Sequence, residues 1–437
     1  MTDLFAARSQ MAMSLAFHII FACAGIGMPL LMVLSERMWL KTRQEVYLEL
    51  TKRWAKGTAI LFAVGAVSGT VLSFELGLLW PGFMKYAGAI IGMPFSLEGF
   101  AFFTEAIFLG LYLYGWKRLS PKTHLWTGVL VAFSGAISGI FVVCANAWMN
   151  APAGFEMVGG EAVNIRPFAA MFNDAAFSQT LHMTIAAYLS TGAAVVGIHA
   201  LMLLRDSKNE FHRAAIRIAL PLTILCAFLQ PVSGDISARS VARRQPEKLA
   251  AMEAIFKTQR GAPLMIGGIP DMETETVSYS IEIPKGLSLL CYHDPDAEVK
   301  GFDAFAPEDR PNMVVVHTAF QIMLGCGMAL MAAGATALFL WWKKKTLPTA
   351  PWLLKIFVAV APLGFIAVEA GWFVTEVGRQ PWIIYRVMRT ADAVTPMPWL
   401  VVPLTTFSII YLFLAVIVTM LLWWQVLSSP TQYRGKG

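Results

Sequence analysis

The chain has 437 residues, of which 57% are hydrophobic and only 14% are charged, and it contains 14 Trp and 29 Phe residues. This composition excludes an ordinary soluble globular protein and predicts an integral membrane protein. The formal net charge of +6 at pH 7 is expected to reflect membrane topology, which concentrates Lys and Arg in cytoplasmic loops, and not binding to nucleic acid.

Long apolar segments follow one another along the whole chain. A helix needs about 20 apolar residues to cross the hydrocarbon core, whereas a transmembrane barrel would show short strands of alternating polarity. The first segment lacks the short apolar region and cleavage site of a secretory signal, so we expect it in the mature protein. We predict nine transmembrane helices, at residues 10–34, 56–79, 95–116, 124–148, 179–204, 215–235, 313–341, 352–375 and 398–424.

The basic residues of the short loops lie almost entirely on one side of these nine spans. By the positive-inside rule that side is the cytoplasm, so the N-terminus is predicted to be periplasmic and the C-terminus cytoplasmic. The cytoplasmic residues are Arg37, Lys41, Arg43, Lys52, Arg53, Lys117, Arg118, Lys122, Arg205, Lys208, Arg213, Arg217, Lys343, Lys344 and Lys345.

The predicted fold is an all-α integral membrane protein with about nine helices and one large periplasmic loop. The chain divides into spans one to six at residues 1–235, the loop at 236–312, and spans seven to nine at 313–437. The loop starts with a charged amphipathic stretch and continues into an acidic segment rich in proline and glycine.

Five residues with ligand or proton chemistry fall at a similar depth, in the outer half of the membrane. They come from five different predicted spans and are His18, Glu98, His182, Met323 and Glu369. Histidine, methionine and glutamate can be axial ligands of haem iron, and a single strong ligand leaves the other face of the haem open to oxygen. Each residue also has a plainer interpretation, because a lone His can be a hydrogen-bonded packing residue and a lone Met can be ordinary core.

Glutamates inside the membrane need a partner or a task, because an ionised side chain at the bilayer centre costs about 2.5–3.5 kcal/mol on insertion scales. Glu369 stands in the apolar run FIAVEAGWF. Glu98 and Glu105 are two helical turns apart, so both lie on one face of their helix and about 10 Å from each other. This spacing is typical of a proton relay, and the alternative is a pair of protonated packing residues.

Short motifs around these residues carry a resemblance to a known family. In their order and in their positions on the spans they are similar to those of subunit I of the cytochrome bd-type quinol oxidases, including the cyanide-insensitive branch with a short quinol loop. The motifs, which run from about Arg8 to Trp382, are ARSQMAMSLAFHIIF, GTVLSFELG, SLEGFAFFTEA, ANAWMNAP, LHMTIAAY, KLAAMEA, QIMLGCG and VEAGWF followed by GRQPW.

The resemblance implies a terminal respiratory oxidase that takes electrons from ubiquinol or menaquinol, reduces O2 to water, and generates proton motive force without pumping. It implies haems near the outer face. His182 and Met323 would be the axial pair of a low-spin haem b. His18 and Glu369 would be the ligands of two high-spin haems, one a haem b and the other a haem d or a further haem b. Which of these two ligands serves which high-spin haem stays open.

The resemblance also implies roles for residues around the haems. Glu98 would lie beside the oxygen-reducing haem, and Glu105, with Ser138 behind it, would belong to the path of protons from the cytoplasm. Arg379 of GRQPW suits haem propionates because a guanidinium can pair with a carboxylate in two places, although it can equally be an anchor at the membrane interface. Trp372 of VEAGWF is expected to contact a haem.

The outer segment 236–312 resembles the quinol-oxidising loop in its short form. Lys248 and Glu253 of KLAAMEA fall at positions implicated in quinol oxidation. From the sequence alone, a solvated face of a charged helix is the simpler interpretation of these two residues. The resemblance instead implies that they act on quinol.

Three positions depart from the usual pattern of the family. Gln321 stands where many relatives carry Arg, two residues before the ligating Met. Ala106 replaces a serine that often follows the deeper glutamate, and Phe365 replaces a Trp of some relatives. These changes are similar to those of the cyanide-insensitive branch, in which a haem b can take the place of haem d at the oxygen site.

The resemblance further implies a membrane heterodimer with a subunit II, sometimes joined by very small single-helix subunits, in the bacterial cytoplasmic (inner) membrane. Two other functions stay open from the residues themselves. One is a haem-bearing membrane anchor that passes electrons between a quinone pool and a partner without oxygen chemistry. The other is a secondary transporter, which usually shows inverted repeats and helices broken at the midplane, and neither feature is predicted here.

Overall fold

The helices of the computed structural model account for the predicted spans. The structure describes residues 2–427, and residues 428–437, the end of the predicted third part, lie outside the described residues. Within the described part, nine helical segments are long and apolar enough to cross a membrane, as predicted. The helices are α1 (Asp3–Thr42), α2 (Glu45–Leu79), α3 (Pro81–Tyr114), α4 (Pro121–Asn150), α5 (Pro167–Met171), α6 (Ala176–Arg205), α7 (Glu210–Arg244), α8 (Pro246–Met252), α9 (Gly286–Tyr292), α10 (Met313–Lys344), α11 (Pro351–Val360), α12 (Leu363–Val377), α13 (Thr390–Ala393) and α14 (Val401–Leu427).

Most spans are longer than the segments predicted for them. Helix α1 has 40 residues and α2 and α7 have 35 each, so at about 1.5 Å per residue they exceed the 30 Å of a typical hydrocarbon core. The predicted limits follow the apolar runs, whereas the helices continue through polar residues at their ends. Helix α7 runs on to Arg244, so the predicted boundary between residues 235 and 236 falls inside a helix.

The eighth span is broken, although the sequence predicts one continuous helix. Helices α11 and α12 are separated by Ala361 and Pro362. Pro362 has no backbone N–H to continue the helical ladder. The break lies against α6, because a Cβ added to Gly197 of that helix would lie only 2.3 Å from the Cβ of Ala361. Small residues thus let α6 approach the break closely, and α12 carries Glu369 as a separate short helix.

Within residues 2–427, eight short strands form four antiparallel two-stranded sheets, β1–β2, β3–β6, β4–β5 and β7–β8. The longest is the β4–β5 hairpin, in which Leu264 lies opposite Ile283 and Asp271 lies opposite Thr276. We call residues 245–312, which join α7 to α10 and contain this hairpin, the long loop. The strands are β1 (Glu156–Val158), β2 (Glu161–Val163), β3 (Gln259–Arg260), β4 (Leu264–Asp271), β5 (Thr276–Ile283), β6 (Glu298–Val299), β7 (Trp382–Ile384) and β8 (Met388–Arg389).

Two side chains of α10 hold the long loop against the helices. The ring of His317 is fully buried, with Nδ1 2.8 Å from the carbonyl oxygen of Met252 and Nε2 3.1 Å from that of Gly267. One turn later, the side-chain oxygen of Gln321 accepts a hydrogen bond from the Gly267 N–H at 2.9 Å. The Gln321 amide donates to the carbonyl oxygen of Met265 at 3.2 Å. The residue that departs from the family pattern therefore binds the backbone of the hairpin.

A cluster of three buried polar side chains joins α1, α3 and α4. Glu36 accepts a hydrogen bond from the Tyr112 hydroxyl at 2.7 Å, and its other carboxylate oxygen lies 2.7 Å from Nδ1 of His124. The Nε2 of His124 lies 2.9 Å from the backbone oxygen of Tyr112. Glu36 and Tyr112 are 0% exposed and His124 is 2% exposed, so each group depends on the others for its hydrogen bonds.

Replacing Glu36 by Ala is expected to lower the free energy of unfolding by about 3–5 kcal/mol, because buried His124 and Tyr112 lose their acceptor. The control is Glu49→Ala, since Glu49 pairs with Arg53 on α2 at a partly exposed position and its loss should cost about 1 kcal/mol or less. Thermal unfolding of the purified protein in detergent measures both changes. Equal losses of stability in the two variants would contradict the role given to Glu36.

Candidate functional site

His18 lies on α1 and its ring faces α2. Its Nδ1 is 2.9 Å from the hydroxyl oxygen of Ser68. The two helices are close at this point, because a Cβ added to Gly69 would lie 3.0 Å from Cε1 of His18. One edge of the imidazole is thus fixed against α2 by a hydrogen bond and by the absence of a side chain at residue 69.

His182 lies on α6 and faces α7 in a similar way. Its Nδ1 is 3.0 Å from the hydroxyl oxygen of Ser233, and its Nε2 is 3.1 Å from the side-chain nitrogen of Gln230. The side-chain oxygen of Gln230 is buried and lacks a hydrogen-bond partner among the described residues. The surroundings of His182 therefore include a polar group whose hydrogen bonding is incomplete.

Met323 and Glu369 lie on the neighbouring helices α10 and α12. The sulfur of Met323 contacts α12, because a Cβ added to Gly371 would lie 3.1 Å from it. Gly371 is two residues beyond Glu369. The Oε1 atom of Glu369 and the Nε1 atom of Trp372 are both buried, and neither has a hydrogen-bond partner in the part of the chain that the structure describes.

Arg379 follows α12 and is 2% exposed. Its Nη2 donates to a carboxylate oxygen of Glu376 at 2.6 Å, whereas its Nε and Nη1 are buried without a partner within residues 2–427. Buried polar atoms are nearly always paired, and an unpaired one costs about 1–3 kcal/mol. The unpaired atoms of Arg379, Glu369 and Trp372 therefore indicate a bound group that is not protein.

A haem fits the chemistry of this donor set. Its iron takes a histidine, a methionine or an anionic oxygen as axial ligand, and its propionates pair with a guanidinium. No group of three or more His, Cys, Asp or Glu side chains among the described residues could hold a free metal ion. Haem iron needs only one or two protein ligands, so isolated residues such as His18 and Glu369 suffice.

One small apolar cluster joins the helices of three candidate ligands. It includes Ile19, Val368 and, packed against it, Met183. Each of these residues is the sequence neighbour of a candidate, on α1, α12 and α6 respectively. The structure thus brings together the helix segments that carry His18, Glu369 and His182.

The two glutamates of α3 lie beside α4. Glu105 is 5% exposed, and a Cβ added to Gly135 would lie 3.1 Å from both of its carboxylate oxygens. One turn along α4, the Ser138 hydroxyl is 3.5 Å from the backbone oxygen of Glu98. Two turns of α3 and one of α4 therefore form a narrow polar strip inside the membrane region.

A chain of hydrogen bonds starts at Lys248 and ends at Arg379. The Lys248 ammonium donates to the side-chain oxygen of Asn150 at 2.7 Å, and the Asn150 amide donates to that of Asn146 at 3.2 Å. Asn146 donates in turn to Glu376 at 2.6 Å. Because Glu376 also accepts from Arg379, the chain connects the long loop, α4 and the end of α12.

Lys248 and Glu253 are 3% and 2% exposed, so the interpretation of these residues as a solvated helix face is wrong. Burial lowers the pKa of Lys248 to about 7, and the positive charge of Arg379 lowers it further. Burial raises the pKa of Glu253 to about 8. Both groups change charge near neutral pH, which is the range in which general acids and bases are most effective.

A cleft of about 410 Å³ lies between the long loop and the turn after α12. Its lining includes Glu247, Trp382 and Arg386. The Tyr385 hydroxyl donates to one carboxylate oxygen of Glu247 at 2.7 Å. The other oxygen and the Nε1 of Trp382 are buried and unpaired in the described chain. One unpaired acceptor and one unpaired donor thus belong to residues that line the cleft, and Glu247 is the residue before Lys248.

Glu75 is a buried acid of α2 that was not among the candidates from the sequence. It is 2% exposed, and one of its oxygens accepts hydrogen bonds at 2.9 Å from the side chains of Gln10 and Ser14. Ser14 is one turn from His18 on α1. The signal was available, because Glu75 lies inside the second predicted span and bears the same membrane cost as the other glutamates.

The chain is similar in sequence to known proteins over nearly its whole length. The family model for cytochrome bd terminal oxidase subunit I matches residues 6–430. The putative cytochrome bd menaquinol oxidase subunit I of Bacillus subtilis (strain 168) is 37% identical over 98% of both chains. The cytochrome bd-II ubiquinol oxidase subunit 1 of Escherichia coli (strain K12) is 28% identical over 88% of each.

A solved structure has the same fold. The bd oxidase from Geobacillus thermodenitrificans superposes with a TM-score of 0.92 and 35% sequence identity, covering 98% of this chain and 99% of that one. Both the family model and the 37% identical relative extend over nearly the whole chain. This chain therefore belongs to the family of cytochrome bd terminal oxidase subunit I.

Proposed function

We propose that the chain is the subunit of a terminal oxidase that oxidises quinol at one face of the membrane and reduces O2 to water inside it. Membership of the family along residues 6–430 makes it a quinol:oxygen oxidoreductase. The single structural observation that best supports the chemistry is the buried, unpaired carboxylate oxygen of Glu369, with unpaired donors of Trp372 and Arg379 further along the same segment.

Four residues would hold the haems. His182 and Met323 are the proposed axial pair of a low-spin haem b, and His18 and Glu369 the proposed ligands of the two high-spin haems. The unpaired N–H groups of Arg379 are suited to a propionate. The bound haems would supply the one-electron transfers and the place at which oxygen binds.

A metal centre would explain why the carboxylate of Glu369 is tolerated at this depth. An ionised side chain in lipid is costly, and the surrounding protein offers its Oε1 no donor within the described residues. A cationic metal centre next to the carboxylate compensates that charge locally, as a lysine would. The unpaired N–H of Trp372, one turn away, would donate to an acceptor atom of the bound group.

Quinol oxidation would take place where the long loop meets α12. Glu253, buried and with one unpaired oxygen, is the proposed acceptor of a quinol proton. The cleft beside Glu247 and Trp382 provides the unpaired acceptor and donor that two phenolic hydroxyls require. Lys248 links this region by hydrogen bonds to Arg379, and thus to the proposed propionates.

Protons for water formation would enter from the opposite side along α3 and α4. We propose that the N-terminus and the long loop face the periplasm, because the short loops on the other side hold most of the Lys and Arg residues. Glu105 then lies deeper than Glu98 and nearer the cytoplasm. Uptake inside and release outside separate charge across the membrane without a pump.

A second membrane subunit would cover part of the bundle. Helices α2, α3 and α14 are the least buried spans of the described chain, with 11%, 17% and 11% of their most apolar segments buried. Exposed aromatic residues such as Phe74, Phe100 and Phe103 lie on two of them. These faces would meet lipid or subunit II in the bacterial inner membrane, and the quinol would be ubiquinol or menaquinol.

Met323→Ala is expected to remove the low-spin haem signal, because the sixth iron ligand is lost. The control is Met328→Ala, which changes a Met of the same helix that is 55% exposed. Reduced-minus-oxidised spectra and pyridine haemochrome analysis of the purified proteins measure the effect. If the low-spin spectrum were the same in Met323→Ala as in Met328→Ala, the ligand role would have to be withdrawn.

Glu105→Gln is expected to lower oxygen uptake at least 10²-fold, because proton transfer by a positioned group typically contributes about 10²–10⁴-fold to a rate. Thr104→Val, at the neighbouring exposed position of α3, is the control and should keep the full rate. An oxygen electrode with a soluble quinol measures both. Full activity in Glu105→Gln with intact haem content would exclude Glu105 from the proton path.

Quinol oxidation should depend on pH through Glu253. Because burial raises the pKa of Glu253 to about 8, the proton-accepting anion is scarce at pH 6 and increases about tenfold per pH unit up to about pH 8. The rate in the native protein should rise over that range and level off above it. Glu253→Gln should lose this rise, so an unchanged pH profile of quinol oxidation in the variant is the result that contradicts the assignment.

A further inference from the structure

The same local structure holds His18 and His182 on two different pairs of helices. In each case a serine of the second helix lies at 2.9–3.0 Å from Nδ1 of the histidine on the first helix. In each case the serine stands in the tripeptide Val-Ser-Gly, at residues 67–69 and 232–234. We call these two tripeptides the VSG motifs.

The hydroxyl hydrogens of the two serines are already used. Ser68 donates to the backbone oxygen of Val64 at 2.9 Å, with that of Gly65 at 3.1 Å. Ser233 donates to the backbone oxygen of Gln230 at 2.9 Å. A hydroxyl has one hydrogen, so towards the imidazole each serine can only accept. The proton of each neutral imidazole therefore lies on Nδ1, and Nε2 carries the lone pair.

Gln230 lies beside the same ring. Its side-chain nitrogen is 3.1 Å from Nε2 and 3.3 Å from Nδ1, and it also donates to the backbone oxygen of His182 at 3.4 Å. The tautomer of His182 is therefore set by Ser233, which can only accept from Nδ1. Metal-binding histidines in proteins usually donate their other ring N–H to a nearby acceptor, which fixes the ring and makes it a better ligand.

The two VSG motifs also occupy equivalent positions on their helices. Helices α2 and α7 both have 35 residues, and Ser68 and Ser233 each follow the first residue of their helix, Glu45 or Glu210, by 23 positions. The glycine after each serine lies next to the histidine ring, and the approach is tight only at Gly69. A Cβ added to Gly69 or Gly234 would lie 3.0 Å or 3.6 Å from Cε1 of the facing histidine.

We propose that Ser68 and Ser233 are positioning residues that make Nε2 the iron-binding nitrogen of both His18 and His182. The same VSG motif thus positions two haem ligands, one for a high-spin haem and one for the low-spin haem. This inference rests on the proposed ligand roles of the two histidines, and it adds Ser68, Ser233 and Gly69 to the residues that control the haems.

Ser68→Ala and Ser233→Ala test the proposal. Loss of such an outer hydrogen bond typically weakens metal binding about 10- to 100-fold, so each variant should lose its matching haem that much faster to an excess of apomyoglobin. The reduction potential of the same haem should rise, because an imidazole without an acceptor at Nδ1 is a weaker electron donor. Ser→Thr at either position keeps the hydroxyl and should restore both properties.

Ser73→Ala is the matched control, because Ser73 also lies on α2 and donates to a backbone oxygen, that of Gly69 at 3.1 Å, but is exposed. It should leave haem release and potentials unchanged. Equal haem release and unchanged potentials in Ser68→Ala, Ser233→Ala and Ser73→Ala would overturn the proposal. If instead His18→Ala and His182→Ala kept all their haem, the ligand assignment itself would fail.

The two glycines give a second test that is independent of the hydroxyl groups. Gly69→Ala should disturb the ring of His18, because its Cβ would lie 3.0 Å from Cε1, and should speed haem release. Gly234→Ala should be tolerated, because 3.6 Å is an ordinary contact distance. If Gly69→Ala released haem no faster than Gly234→Ala, the close contact between His18 and Gly69 would be contradicted.

Discussion

The structure is constrained by polar atoms that are buried inside the helix bundle and lack a hydrogen-bond partner among the described residues. An oxygen of Glu369 and N–H groups of Trp372 and Arg379 lie close along one stretch of chain, and none is paired within the described residues. Each such atom is costly in a medium without water. The proposed haem, anionic at its propionates and cationic at its iron, would satisfy both donors and acceptor, and it would account for both the residue types and their depth.

Two groups of paired polar side chains connect parts of the bundle. Glu36 joins α1 to α3 and α4 through Tyr112 and His124, far along α1 from His18. At the other end, Lys248 is joined through two asparagines and Glu376 to Arg379. A side chain of the long loop is thus joined by a chain of hydrogen bonds to Arg379, the residue proposed to hold a haem propionate. The proposed quinol and haem sites therefore share one hydrogen-bonded frame.

The sequence predicted the features that depend on local composition. Nine apolar runs gave nine spans, and the cost of a carboxylate in lipid was enough to single out Glu369. Features made by distant residues were not predictable in this way. The solvated interpretation of Lys248 failed because its partner, Asn150, lies about a hundred positions earlier in the chain. The break at Pro362 was missed because hydrophobicity ignores the missing N–H, and Ser68 carries no signal until His18 lies opposite it.

Residue chemistry alone left haem ligation, packing and transport open for the histidines and glutamates. The family resemblance favours haem ligation. The central claim is that iron porphyrins occupy the region bounded by these side chains. An experimental density map of the purified oxidase tests it most directly. We predict porphyrin density with one iron bound by Nε2 of His18, one by Nε2 of His182 and the sulfur of Met323, and one by the carboxylate of Glu369. Porphyrin density bound by other side chains, or none beside Glu369, would contradict it.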